Sequence, residues 1–511
     1  MCYNGCIELW EVRKTMKKMK QLLCALLVLC MMLPVLPVGA QETVTLKMMG
    51  LDQDSSGRDW TVNAFFTRMT ELTGVSFEFE QYTDEETYLS EKAKLSTRKE
   101  LPDVLFKAAL TEADQRKFAA DGTLIDLKPL IAENAPHLAA LLAENPQWEK
   151  AITLPDGKIV ALPLINEMER QVGLWMNAAW IEALGLELPS NAQELYDVLV
   201  AMKNGDPNQN GKNDEIALNL TGVWEMRWLL NLFGINANDY NLAMENGSVV
   251  FAPRMAGYRE FVEYLKKLFD EGLMSETAFR DAHAFLALSE KEKDTILSGA
   301  FVSVTPYTHV EAEPSMQYVV MVPDNGVWRD MLGQVWGGTF AVTKDCKDPA
   351  AALRWVDALY DANNILAYAG VEGVDYEVTK NGWMWILDTY RTVDTIRAES
   401  IIYTGGTIPG VMPSEFMRQV DSELDRHVTL NSDALKAIAA PSLPYRIPSD
   451  AEIKRLGEIQ PALAEAVDVG IARFATGEVE LTDETWQAYQ DSLTALGADE
   501  LTEIFNGIIA R

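Results

Sequence analysis

The sequence predicts an α/β protein of two lobes, a clamshell whose second lobe is rich in helix. Three observations lead there. The 511 residues exceed what one small hydrophobic core needs. Strand-like and helix-like periodicities alternate over short connections, the pattern of parallel sheets covered by helices. Strand signals also fall in two separated groups, with a helix-rich insertion between them and a helical tail behind, so the chain has to cross between lobes more than once. The cleft of such a clamshell is the natural place for a ligand.

In chain order, "VTLKMMG" (44–50) reads as the first strand and "WTVNAFFTRMTELTG" (60–74) as an amphipathic helix closed by a glycine. "VSFEFEQY" alternates apolar and polar residues like a half-buried strand, and "LPDVLF" reads as a buried one. The alternation continues through "GKIVALPL" and "ERQVGLWMN" and gives way to helix from Trp180. Strand signals return at "AFVSVTPY", "MQYVVMVP" and "GTFAVT", and the chain beyond Pro349 is largely helical. Crossings are expected near Leu164–Arg170 and Tyr307–Gln317. They divide the chain into residues 41–165 plus 318–369 for lobe one and 166–317 plus 370–511 for lobe two.

The amino terminus reads as an address. Lys17, Lys18 and Lys20 precede the apolar run "QLLCALLVLCMMLPVLPVGA", which ends in a small-x-small site, so residues 1–40 are read as upstream residues and a secretory signal cleaved after Ala40. Pro34 and Pro37 argue against a permanent span. Of five cysteines only Cys346 lies beyond the signal, which leaves the exported chain without an internal disulfide. The formal charge of −32 repels phosphate backbones and anionic lipid, which speaks against nucleic acid as a partner.

Signatures of catalysis are thin. His137, His283, His309 and His427 have no partners at metal-ligand spacing, and no HExxH, GxSxG, GxxxxGK[ST] or GxGxxG occurs. The aromatics are more informative. Trp224 in "LTGVWEMRW" and Trp336 in "GQVWGGTF" stand beside glycines, poor settings for a regular core element and good ones for presenting a flat apolar face with a polar edge. Sugar rings stack one C–H face on such indoles while their hydroxyls meet carboxylates and amides. The expected rim comprises the loop after the first strand, the first crossing and the loops bearing Trp224, Tyr307 and Trp336. Glu167 is expected to accept hydroxyl hydrogen bonds, Tyr307 to touch ligand from the hinge side, and Trp60 either to cover one end or to be a core residue of its helix.

"GDPNQNGKNDEI" (205–216) places oxygen-bearing side chains at almost every second position. Counted from Asp206, Asn208 and Asn210 fall at positions 3 and 5, Gly211 at 6 and the Lys212 carbonyl at 7, as in an EF-hand loop. Position 12 is Ala217, so the usual late glutamate is missing: either Asp214 and Glu215 replace it, or the stretch is an Asx-rich turn that needs no ion.

The stretch "GLWMNAAWIEALGLELPSNAQELYDVLVAMKNGDPNQNGKNDEIAL" resembles the family 1 extracellular solute-binding proteins of ABC importers, in particular the large oligosaccharide-binding branch that includes the alginate-binding proteins. Further matching segments, among them "LPDVLFKAALTEADQRKFAADGTLIDLKPLI", "GTFAVTKDCKDPAAALRWVDALYD" and "FATGEVELTDETWQAYQDSLTALGADEL", spread the likeness from about residue 45 to the end. The resemblance implies a periplasmic-binding-protein-like clamshell. It implies a structural calcium ion held by Asp206, Asn208, Asn210, Lys212, Asp214 and Glu215. The function implied is that of an exported, monomeric, non-enzymatic receptor (extracellular, cell-surface or periplasmic) that delivers an oligosaccharide to a membrane permease. A secreted carbohydrate-active enzyme is the alternative. One departure stands out: no lipidated cysteine follows the signal, as Gram-positive members usually have.

Overall fold

In the computed structural model, residues 43–168, 170–275, 278–279, 296–330, 335–403 and 408–511 are described. The signal expected over 1–40, and His283, lie outside them. Fifteen strands occur among the described residues. The first eight are β1 (Val44–Leu51), β2 (Val75–Tyr82), β3 (Val104–Phe106), β4 (Leu162–Ile165), β5 (Gly173–Asn177), β6 (Leu242–Glu245), β7 (Ser248–Phe251) and β8 (Ala300–Ser303). They are followed by β9 (Tyr318–Val320), β10 (Trp328–Asp330), β11 (Val335–Val342), β12 (Tyr376–Thr379), β13 (Gly382–Trp385), β14 (Gly410–Val411) and β15 (Ala439–Pro441).

Six of them form one sheet in the order β14-β4-β11-β3-β1-β2. β1 and β3 are parallel, β11 is antiparallel to both β3 and β4, and β14 is parallel to β4. Consequently β1, β3, β4 and β14 all end at the same edge, while β11 begins there. A smaller sheet, β8-β5-β9, is antiparallel throughout. Residues 216–219 extend it by running parallel to β8, through the bridges Ile216–Ser298 and Asn219–Phe301.

One large core surrounds the second sheet. It takes in Leu195 and Leu199 from helix Ala192–Asn204, Phe261 and Leu265 from helix Ala256–Asp270, and Leu463 and Phe474 from helix Asp450–Ala475. The helical tail therefore packs on the core of the second sheet. The first sheet carries its own cores, including an aromatic cluster in which Phe66, Phe106 and Trp355 meet at 5.5–6.4 Å.

The lobe limits drawn from sequence move at two points. β9, assigned to lobe one, pairs with β5 in the second sheet. Residues 370–403 and 408–411, assigned to lobe two, are fastened to the first sheet. Arg58 donates to the Arg397 and Ile402 carbonyls, Asn63 donates to those of Ala398 and Ile401, and β14 joins the sheet beside β4. Such side chain-to-carbonyl ties, between partners over 300 residues apart, leave no periodicity to read.

A buried ionic knot fixes the shared edge. The Asp52 carboxylate, just past β1, accepts from Lys107 Nζ at 2.7 Å, from Arg58 Nη1 at 2.9 and 3.1 Å and from Trp60 Nε1 at 2.7 Å. Asp52, Arg58 and Lys107 are each at most 3% exposed. Burial alone pushes the Asp52 carboxyl up, yet the Lys107 and Arg58 charges outweigh it and hold it below the ordinary value of 3.8. Its stabilisation is thus complete above the unfolded value and is lost as pH falls through the folded one. Asp52→Ala, which strands two buried cations, should cost about 3–5 kcal/mol in urea unfolding. Asp52→Asn should show a smaller loss of stability than wild type on acidification below pH 3.8.

Candidate functional site

The two sheets present edges to a common crossing, residues 166–172, between the end of β4 and the start of β5. Because β8 is antiparallel to β5, with Ser303 opposite Gly173, β8 ends where the crossing enters the second sheet. The extension 216–219 runs parallel to β8 and ends at the same side. The turns that follow these two strands hold Tyr307 and Trp224. Trp336 sits at the start of β11, opposite Leu164 near the end of β4. Three of the five expected ligand contacts thus lie at the strand ends flanking the crossing. Trp224 is 50% exposed, Tyr307 39% and Trp336 38%, although large apolar side chains at such positions normally hide.

Trp336 is aimed by a bulge. The register of β11 against β4 shifts between Trp336 and Phe340. Gly338 there takes φ 76°, its carbonyl accepts the Leu110 N–H at 3.0 Å, and a Cβ would stand 2.1 Å from the Leu110 carbonyl oxygen.

The crossing is braced by helix Glu423–Lys436. Arg170 donates to the Tyr307 hydroxyl at 2.8 Å and to Asp425 at 2.6 Å, Gln171 N–H donates to Ser432 at 2.8 Å, and Lys436 donates to the Glu167 carbonyl. Glu167 is exposed, so its carboxylate is open to solvent at the crossing. His309 lies flat on Phe301 at 4.1 Å, and burial pulls its imidazole down to about 3, so it brings no positive charge to this edge at neutral pH. Sequence reasoning missed Arg170 and Asp425. The charges were visible, but their pairing spans 255 positions and has no local signature.

Trp60 is not a rim residue. Its side chain is wholly buried, edge-on to Phe106 at 5.5 Å and tilted against Phe66 at 5.6 Å, with its indole N–H spent on Asp52. The turn before the helix carries it inward, where a buried carboxylate needs a donor.

The 206–215 loop folds around its own oxygens. Asp206 accepts the Asn210 and Gly211 N–H groups at 3.0 and 3.1 Å, Asn210 Oδ1 accepts Lys212 N–H at 2.8 Å, and Asn210 Nδ2 donates to Asp214 at 2.9 Å. Asp206, Gln209 and Gly211 take φ values of 46°, 56° and 74°. Glu215 is 4% exposed, and both of its buried carboxylate oxygens lack a hydrogen-bond partner. A carboxylate out of water with no donor is costly unless a cation meets it. Among the described residues no group of three or more His, Cys, Asp or Glu side chains is gathered for a metal. The donors on offer here are instead mixed, with amide and main-chain oxygens among them, the hard-oxygen chemistry that suits calcium.

No protein-family model matches the chain. It is 28% identical over 342 residues to the fructooligosaccharide ABC transporter substrate-binding protein FusA of Streptococcus pneumoniae, a match covering 63% of this chain and 62% of FusA. The match thus spans less than two thirds of that relative's length. In structure the chain is similar to an HMO-binding, ABC-transporter-associated solute-binding protein of Bifidobacterium longum infantis, with TM-score 0.73 and 21% identity over 91% of this chain and 98% of that one. It is similar as well to the alginate-binding protein AlgQ2 solved without calcium ion, with TM-score 0.59 and 19% identity over 92% and 98% of the two chains. The fold is that of the ABC-transporter solute-binding proteins, as the sequence resemblance implied. Among the described residues no helix is long and apolar enough to cross a membrane.

Gly338→Ala tests the aiming of Trp336. A side chain there faces both a left-handed backbone and a carbonyl oxygen, so the variant should lose at least about 1–2 kcal/mol in chemical denaturation. Its tryptophan emission should shift as Trp336 is re-aimed.

Proposed function

We propose that the chain is an exported receptor that binds an oligosaccharide between two lobes and delivers it to the permease of an ABC importer, without altering it chemically. The observation that carries this reading is the placement of Trp336 from one sheet, and Trp224 and Tyr307 from the other, exposed at edges that flank the crossing 166–172. A ligand that touches both edges favours the closed arrangement, which couples binding to a shape the permease can sense. The name of FusA, a substrate-binding protein for fructooligosaccharides, supports the ligand class. In this reading the protein works as a monomer, and lobe two comprises the second sheet with its helical tail.

Isothermal titration against fructo-, galacturonan- and alginate-derived oligosaccharides tests it, with product analysis alongside. Binding with no chain shortening is expected; shortening would make the protein an enzyme. Trp224→Ala and Trp336→Ala should each weaken binding by about 1–3 kcal/mol, the magnitude known for bases stacked on aromatics. Full affinity in both folded variants would remove these residues from the site.

The 206–215 loop is, in this proposal, a structural calcium clip. Asp206, Asn208, Asn210, Asp214, Glu215 and the Lys212 carbonyl would hold the ion. The orphaned Glu215 carboxylate is the observation that supports it, together with a FusA structure described as an EF-hand mutant. When bound, calcium supplies charge compensation and a cross-link, not chemistry. An ion present at a hundredfold its Kd would stabilise the fold by about 2.7 kcal/mol. Chelator should therefore lower the melting temperature of wild type, and Asp206→Ala and Glu215→Gln should abolish that sensitivity. An unchanged wild-type melting curve would reduce the loop to a turn.

A further inference from the structure

Glu225 neighbours Trp224 in the turn Val223–Met226, yet the two side chains part company: Trp224 is half exposed and Glu225 is 3% exposed. The Glu225 carboxylate turns back on the chain and accepts the Thr221 N–H, with the Thr221 hydroxyl and the Gly222 N–H also acting on it as donors. Gly222 is held from a second side as well, because its carbonyl accepts the Glu225 N–H at 3.1 Å. The Trp224 indole lies against this same glycine. A Cβ on Gly222 would come within 3.2 Å of Trp224 Cδ1 and 3.6 Å of its Nε1. The far end of the turn is pinned separately, by Arg227 donating to Asp468 and to the Asp239 carbonyl.

We propose that Glu225 is a positioning residue for Trp224: its buried carboxylate locks the Thr221–Gly222 backbone into the seat on which the indole rests. The importance of that seat for sugar binding rests on the receptor reading above; the seat itself does not. The seat is also sensitive to protonation. Burial pushes the Glu225 carboxyl up to about 7, against the pull of the Thr221 and Gly222 donors. The turn packs against helices 227–233 and 450–475. The charged pair at that junction is Arg227–Asp468, and neither member acts on the Glu225 carboxyl. A protonated carboxyl grips a backbone N–H less firmly than a carboxylate does, so the indole should shift its setting as pH crosses neutrality.

Fluorine NMR of the full chain labelled with 5-fluorotryptophan tests this without any sugar, and Trp224→Phe assigns the resonance. In wild type the Trp224 signal should move sigmoidally with a midpoint near pH 7. In Glu225→Gln it should be flat with pH and displaced from the wild-type position at pH 8. Asp468→Asn should leave the midpoint in place. Gly222→Ala, which crowds the indole but keeps the carboxyl, should displace the signal and retain the titration. A Trp224 resonance that ignores pH in wild type, or that is the same in wild type and Glu225→Gln at every pH, overturns the proposal. Because no ligand is present, failure of the oligosaccharide reading would show only in the titration calorimetry, and the two outcomes stay separate.

Discussion

Strand direction is the constraint on which the rest of this structure depends. Parallel strands cannot be joined by tight hairpins, so each one must be followed by a crossover, and all of them finish at one edge. β1, β3, β4 and β14 obey this rule, and the loops beyond them gather on one side of the first sheet. The second sheet is antiparallel, yet β8 and the 216–219 extension still end where β5 begins. A seven-residue crossing is too short to carry the two edges far apart. Residues that follow strands are thereby gathered on the sides of the sheets that the crossing joins, and Arg170 in the crossing bonds directly to Tyr307 beyond β8.

What holds such loops still differs from what holds the cores. The cores rely on apolar burial, which is indifferent to direction. At the edges the fastening is polar and directional: Asp52 with three donors, Arg170 shared between Tyr307 and Asp425, and Glu225 on the Thr221–Gly222 backbone. The 206–215 loop belongs to the same group, with Asp206 and Asn210 closing it through their own main-chain donors. Among the described residues no disulfide contributes, and Cys346 is free. Polar fastening leaves the flat aromatic faces unburied, which apolar packing would not.

These two kinds of contact were unequally legible in the sequence. Alternation and helical periodicity revealed the strands and the tail because burial repeats with the backbone. The exposure of Trp224 was readable because a glycine beside an indole signals a loop; Trp336 is exposed too, but at the start of β11 and not in the loop its glycines suggested. Trp60 stayed open between rim and core because its surroundings suit both; the deciding group was Asp52, eight positions earlier. Glu225 carries no local signal of its burial, because acids are common on the surface in the first turn of a helix. The lobe limits slipped because β9 and β14 are only three and two residues long, and pairing of such short segments is decided by distant partners.

The order of strands along the chain has a consequence for how the protein comes to be folded. The first sheet begins at Val44 and is completed only by Gly410–Val411, while the core of the second recruits Leu456, Phe474 and finally Leu501 and Ile508. The first sheet cannot close before Val411 has been made and the second core cannot close before the chain is complete, so the two lobes do not fold as consecutive domains in order from the amino terminus. Contacts of such long range are entropically costly to form first, which slows the search for the native state. The newly made chain therefore keeps strand edges and aromatic clusters unpaired until distant segments arrive, and that is the interval in which it is exposed to aggregation.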